Sequence, residues 1–407
     1  MKKLELLAPA GDLEKLKIAV DYGADAVYFG GEKFGLRAAS KNFSLDEIRE
    51  GVEYAHDRGR KAYLTVNIYA HNEDIEELQK YLDSLKDIPI DAYIASDPGV
   101  IMMIRETISG AVIHLSTQAN TTNYKTAEFW HRCGVKRIVL ARELTLSEIE
   151  ELRRRLPDTL ELECFIHGAM CISYSGRCLL SNFMAERDAN RGECAHPCRW
   201  KYYLMEEQRP GDYYPIEEDG RGTYILNSRD LCMIEHIPEL VRAGISSAKI
   251  EGRVKSIFYV ATVVGAYRRA IDAYYADPER YRFDPEWLQE LRKVSHREFT
   301  TGFFFNKPTH RDQNYQTSAY TRDYTFIGLV RSYDEKTGLA TVEQRNKMNL
   351  GDEIEVFGPH TDYFTQRIDL LLDENDEPIE SAPHPQQIVK IRMERPVLEK
   401  FMLRKRK

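Results

Sequence analysis

The alternation of short apolar segments with longer amphipathic ones over about the first 300 residues limits the fold more than any other feature. Amphipathic segments with helical periodicity follow most of the apolar segments, and Asp12, Ser44 and Thr145 stand at the N-cap positions of three of them. Repeated β–α units of this kind predict a parallel sheet covered by helices. The segments with the length of strands are residues 4–8, 26–30, 62–68, 92–96, 112–117, 137–142, 160–167 and 248–252.

The number of predicted strands favours a closed (β/α)8 TIM-like barrel. An open doubly wound sheet is the alternative, but the dinucleotide-binding turn Gly-x-Gly-x-x-Gly does not follow the first predicted strand. We therefore predict an α/β protein in which residues 1–300 form the barrel. The active site of such a barrel is expected at the carboxyl ends of its strands.

Two segments interrupt the alternation. Residues 168–222 are rich in Cys, Arg, Gly and Tyr and separate the last two predicted strands, so we interpret them as an insertion. Residues 301–407 contain short strand-like segments separated by turns at Gly338 and Gly351, which predicts a small all-β, barrel-like C-terminal domain. The basic residues 404–407 are predicted to form a solvated tail.

Composition excludes several classes of protein. The chain is 43% apolar and 30% charged, which is typical of a folded globular protein. Its net charge of −8 gives no overall basic character for nucleic-acid binding, although a local basic patch is compatible with that sum. The first apolar run is broken by Glu5 and Pro9, and no run of about 18 apolar residues occurs. We expect a cytoplasmic protein without a secretion signal or membrane-spanning helix.

The cysteines are unevenly distributed, since five of the seven lie between residues 164 and 198. An odd number without an export signal argues against a disulfide framework, and reduced thiolates are soft ligands for zinc or for an iron–sulfur cluster. Zinc sites often pair cysteines with two to four residues between them, and only Cys194 and Cys198 have that spacing here. The wider spacing of Cys171, Cys178 and Cys232 favours a cluster held by several loops.

The same segment carries a recognisable signature. It reads Glu163-x-Phe-x-His167-Gly-Ala-x-Cys171, then Gly-x-Cys178, then Arg-Gly-x-Cys194-x-x-x-Cys-Arg, and shorter motifs accompany it along nearly the whole chain. Together they resemble the collagenase-like peptidase family of unassigned catalytic type. The shorter motifs are Leu7-Ala-Pro-Ala-Gly11, His114-x-Ser-Thr-Gln118, Leu140-Ala-Arg142-Glu143-Leu144, Lys249-Ile-Glu251-Gly-Arg253 and Ser295-His-Arg297.

The resemblance implies an activity and a cofactor. Family members whose chemistry is understood are hydroxylation proteins that act on tRNA, ribosomal RNA or ubiquinone precursors and carry a 4Fe–4S cluster. By position in the motif, Cys171, Cys178, Cys194 and Cys232 correspond to the cluster ligands, with Cys198 as a fifth candidate and zinc as the alternative metal. The length and the C-terminal domain resemble those of bacterial members that convert the wobble uridine of tRNA to 5-hydroxyuridine. Prephenate is their hydroxyl donor.

The expected partners are therefore tRNA and prephenate. A homologous protein as a partner subunit is a further possibility that the sequence leaves open. A dicarboxylate such as prephenate favours guanidinium groups, which bind carboxylates through two hydrogen bonds. Arg142 and Arg253 are the first candidates for this role and Arg37 is the third. Asn67 and Gln118, at predicted strand ends, are further candidates for binding the substrate.

The candidate catalytic residues also lie at predicted strand ends. His114 and His167 are expected to carry protons near neutral pH. Glu143 and Glu251 complete the catalytic set. In the alternative interpretation, both carboxylates form ion pairs with the arginines beside them in the sequence and seal the barrel mouth.

A candidate RNA contact lies beside the cysteines. Arg191, Arg199, Trp200 and Lys201 combine cations with an aromatic ring, and such groups grip phosphates and stack on unpaired bases. A solvated rim is the alternative. A peptidase is the rival enzyme, with Ser173 as a candidate nucleophile, although no Gly-x-Ser-x-Gly elbow or His-Glu-x-x-His motif is present. The rival without catalysis is an RNA-binding protein with a structural cluster.

Overall fold

A computed structural model describes residues 3–35, 42–171, 173–174, 178–189, 192–200, 218–219, 222–223, 229–306 and 320–407. Its first 300 residues contain short strands separated by helices. In chain order the strands are β1 (Glu5–Pro9), β2 (Ala26–Gly30), β3 (Lys61–Thr65), β4 (Ala92–Ala95), β5 (Ile113–Leu115), β6 (Arg137–Val139), β7 (Glu161–Ala169), β8 (Glu218–Asp219), β9 (Gly222–Thr223), β10 (Asp230–Cys232), β11 (Ser247–Ile250) and β12 (Phe299–Thr300).

Eight of these strands close into a parallel barrel. Strands β1 to β7 pair in sequence order, and β11 completes the ring by pairing in parallel with both β1 and β7. Each strand of the ring overlaps one of the segments predicted from the apolar pattern. The structure therefore confirms the predicted TIM-like barrel, with the cysteine-rich insertion between β7 and β11.

Helices cover the outside of the barrel. Three begin at the predicted N-caps, where Asp12 accepts a hydrogen bond from the Lys15 amide and both Ser44 and Thr145 form capping boxes. The helices are α1 (Leu13–Asp21), α2 (Leu45–His56), α3 (Ile75–Ser84), α4 (Pro98–Thr107), α5 (Tyr124–Arg132), α6 (Leu146–Arg155), α7 (Leu180–Ala185), α8 (Ile237–Arg242), α9 (Ile257–Ala276) and α10 (Pro285–Arg292). Among the described helices, none has both the length and the apolar character needed to cross a membrane.

Strand β7 is extended on one side by two short strands that follow the insertion. β10 pairs antiparallel with β7, which places Cys232 opposite His167, and β12 pairs in parallel with β10. The turn after β12 packs onto this extension, since a Cβ atom at Gly302 would lie 3.3 Å from Leu231 and 3.5 Å from Met170. The segment that follows the insertion is therefore held beside the carboxyl end of β7.

Residues 320–407 form a separate β-structure, which confirms the predicted all-β C-terminal domain. Seven of its strands form one antiparallel sheet around a second apolar core. The strands are β13 (Tyr324–Asp334), β14 (Leu339–Gln344), β15 (Met348–Asn349), β16 (Glu353–Phe357), β17 (Phe364–Arg367), β18 (Leu371–Leu372), β19 (Ser381–Ala382), β20 (Ile388–Arg392) and β21 (Met402–Arg406).

The prediction of a solvated basic tail is wrong. β21 pairs with both β13 and β16, so it lies inside the sheet, and the Arg404 side chain is fully buried. Its guanidinium donates to both carboxylate oxygens of Glu290 in α10, at 2.9 and 2.8 Å, and to Glu355 at 2.7 Å. The ring of Phe258 in α9 stacks on Phe326 of β13 at 5.7 Å. Arg404 is therefore part of the contact between barrel and C-terminal domain, whereas Arg406 and Lys407 are exposed.

Replacing Arg404 by lysine should lower the free energy of unfolding by about 1–3 kcal/mol, since one ammonium cannot reproduce the forked contacts to Glu290 and Glu355. Urea unfolding followed by circular dichroism measures the change. Arg406→Lys is the matched control, because Arg406 is exposed at the end of the same strand. An Arg404→Lys variant as stable as this control would contradict the structural importance of the fork.

Candidate functional site

A charged network fills the end of the barrel where the strands begin. Arg137, the first residue of β6, donates to Glu161 at 2.9 and 2.6 Å, to Glu163 at 3.1 Å and to Glu5 at 3.2 Å. Lys249 of β11 donates to the other oxygen of Glu163 at 2.9 Å. Arg137 is 3% exposed and Glu163 is completely buried. Because these side chains occupy the interior, a ligand has to enter from the opposite end, where the strands finish.

His114 lies in the barrel interior next to this network. It is 4% exposed, and its ring meets that of Tyr63 edge-on at 4.7 Å. Burial, followed by the positive charges of Arg137 and Lys249, holds the pKa of His114 well below its usual value. The imidazole is therefore neutral at pH 7, unlike the proton carrier expected from the sequence. Its Nδ1 atom is buried and has no hydrogen-bond partner in the described structure.

His167, near the end of β7, is also buried and neutral. The Tyr267 hydroxyl lies 3.4 Å from its Nδ1 atom, and the ring of Phe299 is 5.7 Å away. Burial, with a further contribution from the charge of Lys255, lowers the pKa of His167 to about 3. The expectation that this histidine titrates near neutral pH therefore does not fit its surroundings. Hydrogen bonding is the role that a neutral imidazole retains here.

Three of the predicted substrate-binding residues lie at the carboxyl ends of the strands. Arg253, which is 4% exposed, donates to the Thr65 hydroxyl at 3.0 Å. Asn67, two residues beyond Thr65, donates to the Ser116 hydroxyl at 3.4 Å, and that hydroxyl also accepts from the backbone N–H of Gln118 at 3.4 Å. These hydrogen bonds connect the ends of β3, β5 and β11. The structure thus brings Asn67, Gln118 and Arg253 to one mouth.

The mouth contains buried donors as well as a close backbone approach. Gln118 is 2% exposed and Ser96 is 7% exposed, and neither the Gln118 Nε2 atom nor the Ser96 hydroxyl has a partner among the described residues. A Cβ atom at Gly30 would lie 2.5 Å from Nη1 of Arg253. The absence of a side chain at Gly30 therefore allows the guanidinium to lie against β2.

Arg142 and Glu143 lie further round the mouth, beside β7. The Arg142 guanidinium donates to the Ala169 carbonyl at 2.8 Å and lies 4.0 Å above the ring of Phe165. Burial raises the pKa of Glu143, which is the direction that favours a protonated, hydrogen-donating carboxyl group. Arg142 is therefore oriented by the end of β7, close to the start of the insertion.

Glu251 follows β11 and is 9% exposed. Its amide donates to the His167 carbonyl at 2.9 Å, and its own carbonyl accepts from the Tyr259 hydroxyl at 3.0 Å. A Cβ atom at Gly168, where φ is +106°, would lie 2.7 Å from the Glu251 carbonyl oxygen. The backbone of β7 and the backbone of Glu251 thus lie in close contact, which holds Glu251 at the mouth.

The predicted metal ligands come from two places. Cys232 ends β10, and Cys171 follows the end of β7, the strand that pairs with β10. Cys178 precedes α7, while Cys194 belongs to a loop tied to that helix, because the Ala195 amide donates to the Ser181 hydroxyl at 2.9 Å. Burial raises the pKa of the Cys232 thiol to about 12, and the Tyr267 hydroxyl lies 3.9 Å from its sulfur.

The chemistry of this donor set fits a soft metal or an iron–sulfur cluster, since all four predicted ligands are reduced thiols. Cys198 lies in a short helix (Pro197–Arg199) that packs against α7. Within the described ranges, no three His, Cys, Asp or Glu side chains are arranged to hold a metal ion. The ligand assignment therefore stays a prediction from the motif.

The remaining candidates fall at the edge of what is described. Arg37, Arg191 and Lys201 lie outside the described residues. Arg199 ends the short helix that contains Cys198, and Trp200, which follows it, is 42% exposed. The proposed RNA contact of these residues stays a prediction.

The sequence analysis did not predict the charged network, nor the contact between Asp230 of β10 and Arg297. Asp230, 4% exposed, accepts from the Arg297 amide at 3.1 Å, which joins β10 to the segment before β12. A signal for the network was present, because Glu161 and Glu163 stand two apart in a predicted strand and so face the same side. Two carboxylates on one face of a barrel strand indicate a buried cationic partner.

A closed eight-stranded barrel, a mouth of buried polar groups, a cysteine-rich insertion after β7 and a C-terminal β-domain together define one class of protein. The chain belongs to peptidase family U32, whose model matches residues 11–314, and the model of the family's C-terminal domain matches residues 322–404. This confirms the resemblance found in the cysteine signature.

Curated relatives cover nearly the whole chain. tRNA hydroxylation protein P1 of Bacillus subtilis (strain 168) is 47% identical over 406 residues, which are 100% of this chain and 96% of that protein. tRNA hydroxylation protein P of Escherichia coli (strain K12) is 40% identical, covering 88% of this chain and 87% of that protein. A collagenase of Porphyromonas gingivalis is 33% identical and covers 94% of this chain and 93% of its own length.

Proposed function

We propose that this protein is an enzyme that hydroxylates tRNA, converting the wobble uridine to 5-hydroxyuridine with prephenate as the hydroxyl donor. One observation carries the proposal: the similarity to tRNA hydroxylation protein P1 extends over the full chain at 47% identity. Replacing the C5–H bond of uridine by C5–OH is a two-electron oxidation of the base. The donor of the oxygen atom is correspondingly reduced by two electrons.

The barrel mouth supports a small anionic substrate. Arg253 is buried and held by Thr65, and a guanidinium fixed in a low-dielectric site binds a carboxylate strongly through charge-assisted hydrogen bonds. The unpartnered donors of Gln118 and Ser96 are available to further oxygen atoms of the same ligand.

The RNA substrate requires an unstacked base at this mouth. The wobble base lies in a single-stranded loop, where leaving the stack costs little. The proposed contacts that hold the loop are Arg191, Arg199, Trp200 and Lys201, of which Trp200 offers an exposed ring for stacking.

The proposed cofactor is a 4Fe–4S cluster held by Cys171, Cys178, Cys194 and Cys232, with zinc as the alternative metal. When bound, such a cluster supplies electron transfer or a Lewis-acid iron at the barrel mouth. Cys171 follows the end of β7, Cys232 ends β10, which pairs with β7, and Arg142 contacts the Ala169 carbonyl at that end. One predicted substrate ligand and two of the predicted metal ligands therefore belong to segments that meet at the end of β7.

Mass spectrometry of tRNA nucleosides from a deletion strain tests the function. We expect 5-hydroxyuridine and its derivatives to disappear, to return with the wild-type gene, and to fall about 10- to 100-fold when the restored gene encodes Arg253→Ala. Arg280→Ala is the control, because Arg280 is 89% exposed and follows α9 on the outside of the barrel. Unchanged 5-hydroxyuridine derivatives in the deletion strain would exclude a necessary role in this modification.

A peptidase is the second candidate, favoured by the similarity to the collagenase and by one hydroxyl group. The Ser173 hydroxyl is buried and has no hydrogen-bond partner among the described residues. Cleavage of gelatin by the purified protein, abolished in Ser173→Ala, would support this candidate. Salt-sensitive tRNA binding without any change in tRNA nucleosides would instead support an RNA-binding protein with a structural cluster.

A further inference from the structure

A cleft lies between α9 of the barrel and the C-terminal domain, away from the mouth. Thr262, Gly265 and Arg269 of α9 line one wall, and Phe357 and His360 of the C-terminal domain line the other. Gly265 lies between the two polar residues, and a Cβ atom there would be 3.7 Å from the ring of Tyr22, which also lines the cleft. Thr262 and Arg269 are seven residues apart, so they share one face of the helix.

Both polar residues of α9 present donors that nothing in the described structure satisfies. Thr262 is 4% exposed, and its hydroxyl has no hydrogen-bond partner. A threonine within a helix can donate to the carbonyl four residues earlier, but this bond is not formed here. The Nε atom of Arg269 is also buried and without a partner. A buried donor without an acceptor costs stability, so two such donors on residues that line the same cleft point to a ligand that accepts hydrogen bonds.

Arg269 is also the cation with the weakest partner among the cations at the cleft. Its carboxylate neighbour is Asp362, 3.5 Å away and 96% exposed, and such surface pairs contribute little. The other cations have closer and less exposed carboxylates: Arg268 pairs with Asp25 at 2.9 Å and Asp272 at 2.7 Å, and Arg404 and Lys293 share Glu290 and Glu355 at 2.6 to 2.8 Å. The positive charge of Arg269 is therefore available to an anion.

We propose that this cleft binds a phosphate group through the Arg269 guanidinium and the Thr262 hydroxyl, and that the phosphate belongs to the backbone of the RNA substrate. Only the source of the phosphate rests on the proposed function. Phosphate oxygens accept several hydrogen bonds and carry the negative charge that would pair with the Arg269 guanidinium. With a net charge of −8, the chain repels RNA overall and needs local cationic positions of this kind. The cleft would hold the RNA at the C-terminal domain while the mouth holds the base.

Fluorescence anisotropy with labelled tRNA and the full-length protein, measured over a range of KCl concentrations, tests the site. Arg269→Ala should weaken tRNA binding roughly tenfold at low salt and reduce the slope of log K against log salt by about one phosphate contact. Thr262→Val should weaken binding about threefold while leaving thermal stability unchanged or higher, because it removes a hydroxyl that has no partner in the protein. The second effect separates ligand binding from a structural role.

Arg280→Ala is the matched control, since it removes one positive charge from an exposed position that does not line the cleft. A second probe is inorganic phosphate: it should raise the melting temperature of the wild type above that in chloride at equal ionic strength, and Arg269→Ala should lose the increase. Phosphate stabilisation that is lost in Arg269→Ala, with unchanged tRNA binding, would support the phosphate site and assign it to a free phosphate.

Wild type, Arg269→Ala and Thr262→Val that are indistinguishable with both probes would overturn the proposal. The outcome for the function is separate. A deletion strain with normal 5-hydroxyuridine derivatives would remove the proposed function, whereas the phosphate-dependent melting shift and its loss in Arg269→Ala would still establish the anion site.

Discussion

Arg137→Met should lower the free energy of unfolding by about 3–5 kcal/mol, because it leaves buried carboxylates without their cation. Arg137 contacts all three of Glu5, Glu161 and Glu163, and it is 3% exposed. After the substitution Lys249 still contacts Glu163, but Glu5 keeps no ion pair with any cation of the described residues. Urea unfolding at pH 7, followed by circular dichroism, measures the loss. Arg132→Met is the control, since Arg132 is 77% exposed on α5 and should change stability by less than about 0.5 kcal/mol.

The pH dependence of this loss gives a second check. Burial alone would raise the pKa of Glu5, but Arg137, with hydrogen bonds from Tyr63 and Ser247, outweighs burial and lowers it. A carboxyl group whose folded pKa is lowered stabilises the fold above its unfolded pKa of about 4.3, and this contribution disappears as the pH falls through the folded pKa. Without Arg137, burial dominates and raises the pKa. The stability gap between wild type and Arg137→Met should therefore be largest near neutral pH. It should narrow as the pH falls through the raised carboxyl pKa of the variant, and close further as the pH falls through the lowered Glu5 pKa of the wild type.

A double variant distinguishes lost charge pairing from a general packing defect. Adding Glu5→Gln to Arg137→Met removes one uncompensated carboxylate, so part of the stability should return. If the double variant is instead less stable than Arg137→Met by the full cost of Glu5→Gln alone, the two residues act independently. That result would contradict the network.

The barrel could be predicted because its main determinant is local. Strands buried on both faces are short apolar runs, and the helices between them carry caps that the sequence displays at Asp12, Ser44 and Thr145. Strand alternation could also have shown that Glu161 and Glu163 face one side. The partner of those carboxylates could not be read in this way, because Arg137 comes from a different strand and its distance depends on the closed ring.

Protonation states depend on burial, which one sequence does not reveal. His114 and His167 have the residue type of a proton carrier, but the charges around His114 and the aromatic shell of His167 exist only in the folded barrel. The basic C-terminus illustrates the same difficulty. A run of four cations is usually solvated, yet pairing of β21 with β13 and β16 buries Arg404 against two carboxylates from distant segments. In each case, contacts between residues far apart in the sequence determine the burial of the side chain.

Substitution of any of Cys171, Cys178, Cys194 or Cys232 by serine should abolish the iron content of the protein and, with it, 5-hydroxyuridine formation. A hydroxyl group is a hard and much weaker ligand for this type of cluster than a thiolate. Anaerobic purification followed by iron and sulfide analysis measures the content, and the absorption spectrum reports the cluster independently of activity. A colourless wild-type protein with one tightly held zinc would contradict the iron–sulfur assignment and leave the alternative metal.

Two further cysteines make the experiment selective. Cys133→Ser should keep the full iron content, because Cys133 lies at the end of α5, outside the insertion. Cys198→Ser addresses the fifth candidate, which lies four residues beyond Cys194 in the short helix against α7. We expect Cys198→Ser to retain iron and Cys194→Ser to lose it. The reverse result would replace Cys194 by Cys198 as a ligand while keeping the cluster, since the Ala195–Ser181 hydrogen bond holds the loop of Cys194 at α7 and the short helix of Cys198 packs against α7 as well.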